Sequence, residues 1–148
     1  MFVWVTPRVK EVMSSKIEQE NSSQDSAQDR ILVVDDELDV NISLHMVLES
    51  NGFKVDSYSD PREVLQNFNP GVYGLIILDI KMPHLNGLAL YRELKKIDHK
   101  AKICFLTAGE MFYGDYSDIF NSVGADGFMR KPIENQKLVE RVRKIMSS

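Results

Sequence analysis

The feature that most constrains the fold lies at residues 75–83, where an apolar run ends in one acid and a nearby proline. Residues 75–78 are four consecutive aliphatics, the pattern of a strand that is buried on both faces of a parallel α/β sheet. Pro83 prevents this strand from continuing. Ligands bind at the carboxyl ends of the strands in such sheets, so Asp79 is a candidate functional residue. The alternative is that Asp79 caps the next helix.

Size and charge limit the classes of function open to the chain. A length of 148 residues suits one domain, and 43% apolar residues are enough for a core. The formal charge of -4 disfavours nucleic-acid binding, which needs a face rich in lysine and arginine. The single cysteine, Cys104, excludes an internal disulfide and fits a reducing cytoplasm. With neither a signal peptide nor a run of about twenty apolar residues, we expect a cytoplasmic protein and no membrane contact.

Residues 1–29 differ in composition from the rest of the chain. From residue 14 onward this segment is rich in Ser, Gln, Asp and Glu and poor in aliphatic residues, which predicts a disordered tail. Met13 is an alternative start site, and the residues before it would then not belong to the native protein. We expect residues 30–148 to form the folded domain.

Strand and helix patterns alternate through that domain. Strand-like runs occupy residues 31–34, 53–58, 75–79, 102–107 and 127–130. Between and after them, residues with helical spacing form the apolar stripes of five helices. The stripes contain Val40, Leu44, Val47 and Leu48, then Val64, Leu65 and Phe68, then Leu88, Tyr91, Leu94 and Ile97, then residues 117–123, and finally Leu138, Val142 and Ile145. This alternation predicts the α/β class, as a doubly wound (βα)5 fold with a parallel five-stranded sheet.

Four of the five predicted strands end in residues that can carry out chemistry, namely Asp35-Asp36, Asp79, Thr107 and Lys131. The carboxyl ends of parallel strands meet at one edge of a sheet, so these side chains should converge. Three crowded carboxylates repel one another and call for a hard cation such as Mg2+, which accepts carboxylate, water and phosphate oxygens. An aspartate can attack a phosphoryl group, and a hydroxyl and an ammonium would hold the remaining oxygens.

Simpler interpretations exist for each candidate. The Asp35-Asp36 pair could cap a helix, Thr107 could be an ordinary strand-end residue, and Lys131 could be a solvated surface charge. The histidines show no metal-ligand spacing, so we expect structural or surface roles for His45, His84 and His99.

Several motifs in register resemble the receiver domain of two-component response regulators. They cover residues 30 to about 146, and are Val33-Val34-Asp35-Asp36-Glu37, Asp79 with Met82-Pro83 and Asn86-Gly87, Thr107-Ala108, Gly124-Ala125-Asp126 and Lys131-Pro132. The resemblance implies a flavodoxin-like receiver fold with strand order 2-1-3-4-5.

The resemblance also implies a Mg2+ site. Asp79 would be the phosphoacceptor and a metal ligand, and Asp36 would be a second direct ligand. Asp35 would bind the ion through water, and Lys81 would contribute its backbone carbonyl.

The remaining implied roles concern the phosphoryl group and the signal. Thr107 would be the switch hydroxyl and Lys131 the phosphate-binding lysine, with a cis peptide between Lys131 and Pro132. Phe128 stands where the family has a switching aromatic, often Tyr, although it could also be an ordinary core residue. The loop between Thr107 and Phe128 is about two residues longer than the family pattern and contains Met111-Phe112-Tyr113.

The resemblance implies a phosphorelay signalling module, not a turnover enzyme. A histidine kinase or a histidine phosphotransfer protein would phosphorylate it, and an unknown protein partner or a phosphorylation-dependent homodimer would transmit the signal. Because the chain ends with the fifth helix, we expect no output domain of its own. An aspartyl-phosphate phosphatase of the haloacid dehalogenase type is the competing class, although its nucleophile lies on strand one in an Asp-x-Asp pattern. An interaction module that is never phosphorylated is disfavoured, because every chemical position is filled.

Overall fold

The computed structural model describes residues 30–108 and 117–148. The predicted tail and the Met111-Phe112-Tyr113 cluster lie outside the described residues. In chain order the elements are β1 Arg30–Val34, α1 Leu38–Ser50, β2 Lys54–Tyr58, α2 Pro61–Asn67, β3 Leu75–Asp79, α3 Gly87–Ile97, β4 Ile103–Thr107, α4 Ser117–Val123, a 3-10 turn Ala125–Gly127, β5 Phe128–Arg130 and α5 Asn135–Ser147. The strands are all parallel in the order β2-β1-β3-β4-β5, which confirms the predicted fold class.

Helices cover both faces of the sheet, which explains the unbroken apolar runs in its strands. Alternate side chains point to opposite faces, so neighbouring residues of one strand enter different halves of the core. On one side Leu32 and Ile76 pack with residues of α2, α3 and α4. On the other side Ile31 and Ile77 pack with residues of α1 and α5. β3, in the middle of the sheet, is buried along its whole length.

Strand register brings the strand tips together at one edge. Val34 pairs with Leu78, and Asp79 pairs with Leu106 on the next strand. The tip of β4 is joined to the chain after β5, because the Lys131 N–H donates to the Thr107 carbonyl at 2.8 Å.

The structure refines the predicted element boundaries in small ways. Gly127, predicted as the start of the last strand, belongs instead to the 3-10 turn, where its N–H donates to the Gly124 carbonyl. Ile97, predicted on the buried stripe of α3, is 45% exposed because it is the final residue of that helix. Within the described ranges, no helix is both long enough and apolar enough to cross a membrane.

One surface feature was not predicted from the sequence. Leu38, Ile42 and Met46 follow each other at intervals of four residues on α1, and all three are more than half exposed. They form an apolar row on the helix that begins beside the strand tips.

The first residue of α3 lies against the backbone of the central strand. A Cβ atom on Gly87 would come within 2.1 Å of the Asp79 carbonyl oxygen, and the Gly87 N–H donates to the Ile80 carbonyl at 2.8 Å. Glycine is therefore required by the close approach of two backbones. The contact holds the start of α3 directly against the residue that ends β3.

We predict that Gly87→Ala will destabilise the fold by about 3 kcal/mol, the upper end for overpacking, because the added Cβ meets backbone atoms of β3. Denaturant unfolding measures this loss. Gly52→Ala is the control: Gly52 has a φ of +95° but open space around it, so only backbone strain of about 1–2 kcal/mol is expected. Equal losses in the two variants would contradict the role of close packing.

Candidate functional site

Three carboxylates meet where β1 and β3 end. Oxygen atoms of Asp35, Asp36 and Asp79 all lie within 4.8 Å of one another. Asp35 and Asp79 are almost fully buried, at 1% and 3% exposure, whereas Asp36 is partly exposed. The predicted convergence of the acids is therefore present in the structure.

Lys131 enters this cluster from the end of β5. Its Nζ lies 2.8 Å from Asp35 Oδ2 and 3.3 Å from Asp79 Oδ2, and its side chain is only 9% exposed. The peptide between Lys131 and Pro132 is cis. The solvated surface charge considered above is thus not what the structure contains, because the ammonium is enclosed by carboxylates.

Glu37, to which the sequence assigned no role, also contacts Lys131. Lys131 Nζ donates a hydrogen bond to Glu37 Oε1 at 2.8 Å, and the Glu37 side chain is 58% exposed. The only sequence signal was its position directly after the two aspartates. Its approach to a lysine 94 positions away depends on the tertiary fold.

A second residue without a sequence-based role, Asn41, fixes the turn that carries the acids. Its side-chain amide is buried and donates to the carbonyls of Asp35 and Tyr58, both at 2.9 Å. The Asp35 carboxylate in turn accepts the Glu37 N–H at 2.9 Å. Asn41 thereby joins the turn after β1 to the end of β2. The available signal was the helical spacing of Asn41 with Leu44 and Leu48, which places this polar residue on the buried face of the helix.

Thr107 and Phe128 lie on the same face of the sheet. Thr107 is buried at the tip of β4, two residues beyond Phe105, which pairs with Phe128 on β5. The Phe128 ring is partly buried and stacks on Phe105, with 5.1 Å between ring centroids, and on Phe120 of α4 at 5.5 Å. Phe128 therefore contacts the core and reaches the surface of α4.

The other predicted residues lie around the cluster. Lys81 follows Asp79 by two positions in the connection to α3, with its side chain exposed. His84, in the same connection, has a φ of 71° and is also exposed. His45, on α1, contacts Ser57 of β2 and Glu49 of the same helix. Among the described residues, no histidine joins the one group of acids that could hold a metal ion.

The electrostatics of the site are dominated by burial and like charge. Burial, reinforced by the Asp35 carboxylate, raises the pKa of Asp79 to about 7, and the Lys131 ammonium only partly offsets this. The carboxylates of Asp35 and Glu37 raise the pKa of Lys131 above its usual range despite the opposing effect of burial. The lysine therefore stays charged, while the central aspartate is short of compensating positive charge.

The arrangement of oxygens fits a divalent cation. Asp36 Oδ1 is buried and has no hydrogen-bond partner among the described residues, and Asp35 Oδ2 has only its ion pair with Lys131. Unsatisfied buried carboxylate oxygens are costly, and a hard cation is the ligand that such oxygens prefer. The donor set thus matches Mg2+, which binds through a few carboxylates and completes its shell with water and phosphate oxygens.

We predict that Asp79→Asn will raise stability at pH 8 in the presence of a chelator, by about 1–3 kcal/mol. The folded pKa of about 7 exceeds the unfolded value of about 4, so ionisation of Asp79 removes stability as pH rises through this interval. The neutral amide is free of that penalty, so the two proteins should converge near pH 4. Thermal unfolding across pH tests this, with the exposed Asp39→Asn as a control expected to match wild type. An asparagine variant that is less stable at pH 8 would contradict it.

Comparison with known proteins agrees with this geometry. Residues 31–143 match the family model described as the response regulator receiver domain. The transcriptional regulatory protein PrrA of Mycobacterium leprae is 34% identical over 117 residues, which is 79% of this chain and 49% of the relative. DltR of Streptococcus agalactiae, another transcriptional regulatory protein, is 32% identical over 77% of this chain and 50% of its own. The chain thus spans about half the length of the curated relatives it matches.

Solved structures show the same likeness. The response regulator TrrA from Thermotoga maritima, in complex with Mg2+-BeF, is 36% identical with a TM-score of 0.64, and the match covers 78% of this chain and 97% of that one. A receiver domain protein from Clostridium thermocellum is 30% identical with a TM-score of 0.66, over 80% and 94% of the two chains. With its fold, its acidic strand tips and these relatives, this chain belongs to the receiver domain family of two-component response regulators.

Proposed function

We propose that Asp79 is the residue that receives the phosphoryl group. The observation that carries the proposal is the position of its carboxylate, which is buried at the tip of the central strand, 3.3 Å from the Lys131 ammonium and within the acidic cluster. Asp35 and Asp36 lie between the neighbouring strand β1 and α1, whereas Asp79 ends the central strand and is the acid that the other groups surround.

The donor would be a phosphohistidine on a histidine kinase or a histidine phosphotransfer protein. A carboxylate oxygen of Asp79 attacks the phosphorus, an oxygen–phosphorus bond forms, and the nitrogen–phosphorus bond breaks with its electron pair returning to the imidazole. Water later attacks the same phosphorus and releases inorganic phosphate, which restores the carboxylate. Because the phosphorylated protein is itself the signal and not an intermediate toward a released product, the module would act in signalling and not as a turnover enzyme.

Four residues are proposed to hold Mg2+. Asp36 and Asp79 would supply carboxylate oxygens directly, Asp35 would act through water, and Lys81 would supply its backbone carbonyl. The unsatisfied oxygen of Asp36 supports this assignment. When bound, the ion supplies positive charge to the phosphoryl oxygens and relieves the repulsion among the acids.

Thr107 and Lys131 would hold the phosphoryl oxygens that face away from the ion. Thr107 is buried at the adjacent strand tip, and Lys131 is joined to the same tip through its backbone N–H. The two groups would respond together to a phosphoryl group, because a backbone hydrogen bond joins Lys131 to the strand end that carries Thr107.

The aromatic stack behind Thr107 is the proposed switch. Movement of Thr107 toward a phosphoryl group would open space for Phe128, which already contacts Phe105 in the core and the partly buried Phe120 of α4. The ring is partly buried, so completing its burial would contribute about 1–2 kcal/mol. A bias of that size shifts a two-state population by roughly tenfold, which suits a reversible signal.

The output would be read by another protein or by a second copy of this chain at the face of α4, β5 and α5. The exposed apolar row of α1 supports an additional protein contact beside the acidic site, since a shallow depression at its start is lined by Asp36, Leu38 and His84.

We place the module in the cytoplasm, with residues 30–148 as the domain, residues 1–29 as a tail, and no nucleic-acid contact by the domain itself. Its curated relatives are transcriptional regulators about twice as long.

We predict that Asp79→Asn will abolish labelling by acetyl phosphate in the presence of Mg2+, because the amide is not a nucleophile. Mass spectrometry of the intact protein detects the added phosphoryl group. Asp39→Asn, which removes an exposed acid on α1, should be labelled like wild type. Undiminished labelling of Asp79→Asn would refute the assignment.

We predict that Phe128→Ala will leave phosphorylation of Asp79 nearly unchanged while uncoupling it from partner binding or dimerisation. Analytical ultracentrifugation with and without beryllofluoride measures that coupling for the homodimer. Phe53→Ala is the matched control, because Phe53 packs in the other half of the core and should lose stability without losing coupling. If Phe128→Ala retains the full phosphorylation-dependent gain in association, Phe128 is only a core residue.

A further inference from the structure

The ammonium of Lys131 is shared among three carboxylates, of which Asp35 and Asp79 are buried and Glu37 is exposed. Asp35 and Glu37 both lie 2.8 Å from Nζ, and Asp79 lies 3.3 Å away. A lysine ammonium has three N–H donors, and three carboxylates already surround this one. A phosphoryl oxygen on Asp79 must therefore compete with the other two carboxylates for Lys131.

Asp35 is not free to leave. It is 1% exposed, its other carboxylate oxygen accepts the Glu37 N–H at 2.9 Å, and the buried Asn41 amide holds its backbone carbonyl. A buried carboxylate that lost its ammonium would be left without a compensating charge, which is strongly unfavourable. Asp79 carries the phosphoryl group itself, so its longer 3.3 Å contact passes to a phosphoryl oxygen, and any shorter or additional contact to the phosphoryl group requires Lys131 to release Glu37 or Asp35.

Glu37, in contrast to Asp35, is exposed and weakly held. Its side chain is 58% exposed and makes no capping bond to α1, although Glu37 occupies the position before that helix. Water can solvate its carboxylate as soon as it releases Lys131, and ion pairs at the surface are weak. Glu37 is therefore the contact that Lys131 can release at the lowest free-energy cost.

We infer that Glu37 is a positioning residue that holds Lys131 in the resting state and competes with the incoming phosphoryl group for its ammonium. This inference rests on the proposed role of Asp79. Loss of the Glu37 contact should favour the phosphoryl-bound state and leave the acidic cluster and the fold in place. Because the Glu37 carboxylate is exposed to water even though Lys131 is not, the effect should be about two- to fivefold.

Three variants distinguish the effect of the Glu37–Lys131 contact from the effect of the negative charge of Glu37 alone. Glu37→Gln removes the negative charge and weakens the contact, while Glu37→Asp keeps the charge but withdraws the carboxylate by one methylene from Lys131. Asp39→Asn removes the same charge two positions later on α1, from an exposed side chain with no hydrogen bond or ion pair to the described residues. The probe is beryllofluoride, titrated in the presence of Mg2+ and followed by calorimetry.

We expect both Glu37 variants to bind beryllofluoride about two- to fivefold more tightly than wild type, and Asp39→Asn to bind like wild type. The difference should shrink in high salt, which screens an exposed ion pair. A second measurement needs no ligand: in Mg2+-free protein, the Lys131 ammonium protons, assigned by their loss in Lys131→Arg, should exchange with water faster in both Glu37 variants.

Three outcomes would overturn the inference. Wild-type affinity in Glu37→Gln would show no competition. Weaker binding in Glu37→Gln would show that Glu37 orients Lys131 toward the phosphoryl group instead. Tighter binding in Glu37→Gln with wild-type binding in Glu37→Asp would show a general effect of charge in place of the contact. If wild type neither binds beryllofluoride nor accepts a phosphoryl group, the proposed function itself fails, which is a distinguishable result.

Discussion

The ion pair between Lys131 and the buried carboxylates of Asp35 and Asp79 is the interaction on which the site depends. The two acids belong to the strand tips of β1 and β3, and the lysine follows β5 at the other side of the sheet. Their contact therefore ties distant parts of the sheet edge together. A single ammonium among this many acids does not neutralise them, and the raised pKa of Asp79 reflects the shortfall.

That imbalance is what makes the site chemically useful. Buried carboxylates crowded around one ammonium are unstable on their own, and a divalent cation relieves their repulsion. Stability would be higher with neutral side chains at this edge, as is common where a protein retains charged groups for function. The fold compensates through a fully buried apolar core on both faces of the sheet.

Backbone contacts transmit position from the core to the site. The carbonyl of Asp79 leaves no room for a side chain at Gly87, so the start of α3 and the end of β3 cannot shift independently. The Thr107 carbonyl accepts the Lys131 N–H, so the lysine follows the tip of β4. In the proposed switch, a small change at Thr107 would reach Lys131 through this hydrogen bond and Phe128 through the adjoining ring stack.

The sequence alone determined the architecture and the identity of the acids. Continuous aliphatic runs ending in Asp35-Asp36 and Asp79 identify parallel strands with polar tips, because only strands covered on both faces need such runs. The strand tips of one parallel sheet share an edge, so the convergence of Asp35, Asp79 and Lys131 followed from local pattern together with topology.

Only the tertiary structure decided how the charges are distributed. Glu37 and Lys131 are 94 positions apart, and no local pattern shows that an exposed acid shares the ammonium of a buried lysine. The buried amide of Asn41 and the exposed row on α1 also depend on which face each helix turns to the sheet. Periodicity indicates that a helix has a buried face, but burial of a single polar group and the distance between two charges depend on how all the elements pack, which no local segment contains.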